Sequence, residues 1–130
     1  LWVTGHPGDA GVDLFCAEHV YVDPGRFLDI CLGVEVQLPQ GYWGMLTGRS
    51  STLRRHQLMV NQGIIDQGYR GRLFAGVWNL GQRMAWIPAG TRLAQLILLP
   101  LWAPVRPPVV EVEHLDGSAR GASGFGSTGA

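Results

Sequence analysis

A chain of 130 residues, 46% hydrophobic and 15% charged with 19 glycines, has the composition of one turn-rich globular domain rather than a disordered or fibrous polymer. Ten acidic and ten basic residues give a formal net charge of zero, which excludes a broad electrostatic surface for nucleic acid. No apolar run reaches the roughly 20 residues needed to span a bilayer, and no signal segment opens the chain, so a soluble intracellular protein is expected.

All ten basic residues are arginine, which removes Schiff-base chemistry and leaves planar guanidiniums suited to phosphate. In chain order, Asp9-Ala10-Gly11-Val12-Asp13-Leu14 places two carboxylates four residues apart near a strand start. Either could hold Mg²⁺ through water, because that ion keeps much of its hydration. Cys16 and Cys31 show no CxxC spacing and are expected as free core thiols. Asp23-Pro24-Gly25 marks a turn. The alternation of Val34-Glu35-Val36-Gln37-Leu38 predicts a half-buried strand, ended by a second turn at Pro39-Gln40-Gly41. Gly48-Arg49-Ser50-Ser51 offers an anion one guanidinium and two hydroxyls ahead of a short helix over 51–57, capped by Ser50 or Ser51.

Gly63-Ile64-Ile65-Asp66-Gln67-Gly68-Tyr69-Arg70-Gly71 pins one carboxylate and one aromatic between three glycines. Glycines at positive-φ turn positions would hold Asp66 and Tyr69 on a rigid hairpin, the placement that general-base chemistry needs. Leu73 to Trp78 and Leu93 to Leu101 are short apolar runs that predict strands buried on both faces, with turns at Asn79-Leu80-Gly81 and Pro88-Ala89-Gly90. Prolines at 100, 104, 107 and 108 predict a bent segment before a last strand at Val110-Glu111-Val112-Glu113. The tail from Ala119 is Gly/Ser-rich and expected to be flexible; Phe125 inside it lies far from any apolar period and reads as a ligand-stacking residue. Gly124-Phe125-Gly126-Ser127-Thr128-Gly129 matches the dinucleotide GxGxxG, but no helix follows to complete that fingerprint. What survives is a run of backbone N–H groups, two hydroxyls and nearby Arg120 for a phosphate. His6, His19, His56 and His114 form no HExxH or Ser-His-Asp pattern and are expected to be structural. Short strands, frequent turns and one helix predict an all-β sandwich or barrel.

Five segments in one order, Asp9 to Leu14, Gly48 to Ser51, Gly63 to Gly71, Arg92-Leu93-Ala94-Gln95 and Arg120 to Gly129, resemble the five motifs of the homotrimeric dUTPase family, the deoxyuridine 5′-triphosphate nucleotidohydrolases. They span almost the whole chain. The resemblance implies a jelly-roll-type β-sandwich over 1–118, a C-terminal arm over 119–130 that closes on nucleotide, and a homotrimer with shared active sites. It implies hydrolysis of dUTP to dUMP and pyrophosphate, which limits uracil in DNA and supplies dUMP for dTTP synthesis. Asp66 would be the general base, and Tyr69 would stack on the deoxyribose. Arg49, Ser50, Ser51 and Gln95 would contact the phosphates, while Asn61, Gly63 and Ile65 belong to the hairpin segment that reads uracil largely through main-chain groups. Arg120, Ser127 and Thr128 would close over the γ-phosphate, and Phe125, beside Gly126, would stack on uracil. Asp13, rather than Asp9, would orient a water bound to Mg²⁺. Gly68 and Arg72 stand where many relatives carry acids, and Asn61 lies slightly closer to Asp66 than in several bacterial members, which keeps open a bifunctional enzyme that also takes dCTP; a nucleotide-sensing trimer that regulates a partner protein is a separate alternative. The expected location is the cytoplasm, or a host cell interior if the source is viral, with no nucleic-acid or membrane partner.

Overall fold

Alternating burial writes the architecture most clearly along β7 (Arg72–Asn79), where Leu73, Ala75, Val77 and Asn79 are buried while Phe74 and Trp78 are exposed. The computed structural model describes residues 6–102 and 111–119. Before β7 come β1 (Gly11–Phe15), β2 (Val20–Val22), β3 (Phe27–Glu35), β4 (Tyr42–Gly48), the helix α1 (Ser50–His56), β5 (Leu58–Val60) and β6 (Gly63–Ile65); β8 (Ala85–Ile87) and β9 (Arg92–Pro100) follow it. They form a four-stranded sheet in the order β1-β9-β4-β6, a three-stranded sheet β3-β7-β5, and a ribbon β2-β8. Among the described residues every ladder is antiparallel and none joins two consecutive strands, in keeping with the expected jelly-roll-type sandwich.

The core lies between the sheets. Leu14, Leu46 and Leu96 come from the four-stranded side, Ile30, Ala75 and Val77 from the three-stranded side, and Val22 and Ile87 from the ribbon. At roughly 25 cal/mol per Å² of apolar surface, such interdigitated side chains supply most of the driving force. Asn79 and Thr52 are the buried polar side chains among the described residues, and Asn79 is the deeper. Asn79 is 1% exposed, and its Nδ2 donates to the carbonyls of Val22 and Arg83, each at 2.8 Å, while its Oδ1 accepts from the Gly81 N–H at 2.9 Å. That residue therefore ties the end of β7 to β2 and to the loop before β8.

Several expectations are corrected. The Gly63 to Gly71 segment is not a hairpin: β6 pairs with β4 and β7 with β3 and β5, so the chain crosses from one sheet to the other through the Asp66 turn. Its glycines do not adopt positive φ, which occurs instead at turn positions such as Gly25, Gly41 and Gly90. β7 and β9 are not buried on both faces, since the outer face of each sheet leaves Phe74, Trp78 and Leu98 exposed. The strand expected at 34–38 is β3, which begins earlier and leaves its ladder at Glu35; Val36 and Leu38 stay buried without a strand partner. Residues 111–113 form no strand, their alternation being matched by no burial. The helix starts one residue early with Arg49 as N-cap and no side-chain cap, since a guanidinium carries no acceptor for the free helix N–H groups. Cys16 is a buried free thiol that donates to the Glu18 carbonyl, and burial pushes its pKa up; Cys31 is only half-buried.

Candidate active site

Asp13 on β1, Gln95 on β9 and Thr47 on β4 stand at one register level, so their side chains share the outer face of the four-stranded sheet, opposite Leu14, Leu46 and Leu96. Beside them β4 ends and α1 begins. Thr52, buried in α1, donates its hydroxyl to the Leu93 carbonyl at 2.9 Å and seats the helix against β9. This brings Arg49 over the sheet, where its Nε donates to Asp13 Oδ1 at 2.6 Å and its Nη1 reaches Ser51 Oγ at 3.4 Å. Gln95 lies flat because Gly11 leaves room for it: a Cβ on Gly11 would stand 2.7 Å from Gln95 Oε1. The Gln95 amide then donates to the Gly48 carbonyl at 3.1 Å.

These residues border an open cavity of about 440 Å³ whose lining includes Asp9, Asp13, Arg49, Ser50, Arg92 and Gln95. Guanidiniums, a hydroxyl and an amide converging on one concave face form a donor set for phosphate oxygens. His6, expected to be structural, also borders it, whereas His19 has a structural part, accepting from the Ala89 N–H and stacking on Trp86. Sequence reasoning gave Arg92 no role, although it opened one of the quoted segments.

Asp66 and Tyr69 are exposed and outside that lining. Their turn is braced rather than hinged. The Tyr69 N–H bonds the Asp66 carbonyl at 3.0 Å, Arg70 Nη1 donates to the carbonyls of Gln67 and Tyr69, and Gln67 Oε1 accepts from the Gly41 N–H at 2.9 Å. The Tyr69 hydroxyl donates to the Arg72 carbonyl at 2.7 Å, which lays the ring on Gly71, where an added Cβ would meet the hydroxyl oxygen at 2.5 Å. Asn61, Gly63 and Ile65 lead into this turn, with the Asn61 N–H on the Gly76 carbonyl. Ile65 pairs with Gly44, whereas Arg49 follows the opposite end of β4. Five residues of strand at about 3.4 Å each put roughly 17 Å between the two levels. One chain thus gathers Asp13, Arg49, Ser50 and Gln95 but keeps Asp66 and Tyr69 apart from them. Arg120, Phe125, Gly126, Ser127 and Thr128 lie outside the described residues.

For a divalent ion, the donor set is sparse. Among the described residues no three His, Cys, Asp or Glu side chains gather, and both Asp13 oxygens face arginines. Such a site fits a hydrated Mg²⁺ that takes inner ligands from phosphates and touches the protein through water. No helix among the described residues is long and apolar enough to cross a membrane.

The dUTPase family profile matches residues 2–129. The chain belongs to the dUTPase family. As a dUTPase it is a hydrolase of nucleotide metabolism. It is 42% identical over 132 residues to the deoxyuridine 5′-triphosphate nucleotidohydrolase of Leifsonia xyli, covering 99% of this chain and 85% of that protein. Among solved structures it resembles the dUTPase of Staphylococcus bacteriophage 80alpha with dUPNHPP, at a TM-score of 0.88 and 31% identity, covering 100% of this chain and 92% of the other. It also resembles the dUTPase of S. aureus phage phi11, at a TM-score of 0.76 and 29% identity over 88% of this chain and 90% of that one; that structure describes coordination of a structural Mg(II) ion. These dUTPases share the fold built above.

Proposed function

We propose that this dUTPase hydrolyses dUTP to dUMP and pyrophosphate by attack of water on the α-phosphorus, at sites each assembled from more than one copy of the chain. The spacing along β4 carries this reading. Reacting groups must stand about 3–3.5 Å apart, so an Asp66 roughly 17 Å along the strand from Arg49 cannot serve phosphates held by its own chain. A second copy brings its Asp66 turn to the first copy's cavity. Assembly is supported by the outer face of the three-stranded sheet, where Phe27, Trp78, Met59 and Phe74 are exposed together and Phe27 meets Trp78 edge-on at 5.9 Å between centroids. A closed homotrimer covers such faces and gives every cavity the same neighbour.

In the reaction, Asp66 takes a proton from the water whose oxygen bonds to the α-phosphorus; the bond from phosphorus to the α,β-bridging oxygen breaks, and pyrophosphate leaves with the electron pair. Arg49, Ser50, Ser51 and Gln95 donate to phosphate oxygens and stabilise the charge that develops there. Asp13 would hold magnesium through water, and the ion, when bound, would neutralise phosphate charge. Tyr69, fixed by the Arg72 carbonyl, covers the deoxyribose and leaves no room for a 2′-hydroxyl. Backbone groups from Asn61 to Ile65 read the uracil edge, and the arm from residue 119 closes with Phe125 on the base, Gly126 beside it, and Arg120, Ser127 and Thr128 on the γ-phosphate. The product feeds dTTP synthesis in the cytoplasm, and removal of dUTP limits uracil in DNA.

Pyrophosphate release from dUTP, dCTP, dTTP and UTP, by the unaltered chain and by Asp66→Asn, tests the reading. The variant is expected to lose about 10²-fold in kcat while binding a non-hydrolysable analogue nearly as before. Near-normal turnover by Asp66→Asn removes Asp66 from the mechanism, and equal use of dCTP makes the enzyme bifunctional.

A further inference from the structure

Three observations converge on Arg92. β1 and β9 keep register from Gly11 to Leu14 and then slip, so that Leu14 faces Ala94 while Phe15 faces Arg92. This bulge buries both Leu93 and Ala94 and turns Arg92 to the outer face, beside Asp13; strict two-residue alternation from Gln95 would send it inward. There Arg92 lies 6.0 Å over the Phe15 ring, with Nη1 3.5 Å from Asp13 Oδ2, while Asp13 Oδ1 holds Arg49.

We propose that Asp13 is a positioning residue that fixes two guanidiniums without help from a metal, and that Arg92 is a second phosphate-binding cation of this cavity. The inference rests on the reading of the cavity as the seat of the triphosphate. Holding Arg49 by Nε, with one Nη1 hydrogen on Ser51 Oγ, leaves Nη2 and the second Nη1 hydrogen for phosphate oxygens, and holding Arg92 by one Nη1 leaves the rest of its donors for the same task. The carboxylate thus exchanges some repulsion of the ligand for fixed direction of two cations that would otherwise repel each other. Hydrated magnesium makes a separate demand on the same carboxylate.

The sign of one measurement decides between roles. A count of charges says that Asp13→Asn, which removes a negative charge, strengthens binding of a polyphosphate; a purely metal-orienting Asp13 gives no weakening when metal is absent. Positioning gives weaker binding. Calorimetric titration of the assembled protein with the imido analogue of dUTP, in EDTA, is expected to show about 10-fold weaker binding for Asp13→Asn and for Arg92→Ala. The Asp13→Asn/Arg49→Ala double variant should lose less than the sum of the two single losses, because part of the effect of Asp13 passes through that arginine and the rest through Arg92. Unchanged or tighter binding by a folded Asp13→Asn overturns the positioning role, as do additive losses in the double variant. Unchanged binding by Arg92→Ala, a half-exposed side chain whose removal leaves the core intact, overturns the second cation and stands as a test even if Asp13→Asn does not fold. Should Arg49→Ala itself bind normally, the cavity is not the phosphate seat and the underlying reading fails first.

Discussion

Two inactive chains can make one active enzyme if each site draws on more than one of them. Asp66→Asn removes the proton acceptor and Arg49→Ala removes a phosphate ligand; alone, each assembly lacks the same group in every site. Ile65 pairs with Gly44 while Arg49 lies beyond Gly48, so about 17 Å of strand keeps the two groups of one chain from a common substrate. In trimers assembled at random from equal amounts, half the sites receive an intact Asp66 and, independently, half receive an intact Arg49, so about one quarter receive both. With each parent at about 1% of normal turnover, the mixture should rise roughly 25-fold above either. The chains are unfolded together, refolded, checked for mixed trimers by native mass spectrometry, and assayed for pyrophosphate release from dUTP. A mixture that exchanges subunits yet stays at the parental level would refute the shared site, because both groups would then come from one chain.

Gly71→Ala should push the Tyr69 ring off its seat and lower the preference for dUTP over UTP in kcat/KM by about 10-fold or more, with folding unchanged; an unaltered ratio detaches ring placement from sugar choice. Asn79→Ala leaves one buried carbonyl, one part-buried carbonyl and a part-buried N–H without their partner and should destabilise the fold by about 2 kcal/mol, read from the denaturant midpoint, with the dUTP/UTP ratio of the folded enzyme unchanged. Deleting residues 120–130 should cost about 10²-fold in turnover and little in melting temperature, since the described core runs from Leu14 to Leu96; a large fall in melting temperature makes the segment structural.

Local physics was legible in the sequence. Apolar runs bounded by Gly, Asn and Pro marked β7 and β9, and Gly25, Gly41 and Gly90 adopt positive φ at turns read from Asp-Pro-Gly, Pro-Gln-Gly and Pro-Ala-Gly. Pairing was not legible, because register depends on contacts between distant segments. The apolar run before Asp66 and the one after Tyr69 look like two arms of a hairpin, yet they end in different sheets. Two-face burial was read from uninterrupted hydrophobicity, which cannot distinguish a core from an outer face awaiting another chain. Of the cavity residues, Asp13, Arg49, Ser50 and Gln95 could be named from three separate segments, but the 36-residue step joining Asp13 to Arg49 could not. Arg92 was invisible for a sharper reason: a slip in register decides which way it points, and no composition records a slip.

Because no strand pairs with its successor, the four-stranded sheet cannot close until β9, the last strand described, slides between β1 and β4. β1 must wait, its loop-closure entropy uncompensated, for a partner about 80 residues on, although β4 can pair with β6 much sooner. A growing chain therefore carries Asp13 and Arg49 for most of its translation without the strand that sets them side by side. The order of synthesis keeps the cavity unmade until β9 emerges, and a chain that stops before Arg92 has neither the complete four-stranded sheet nor the cavity that Arg92 and Gln95 line.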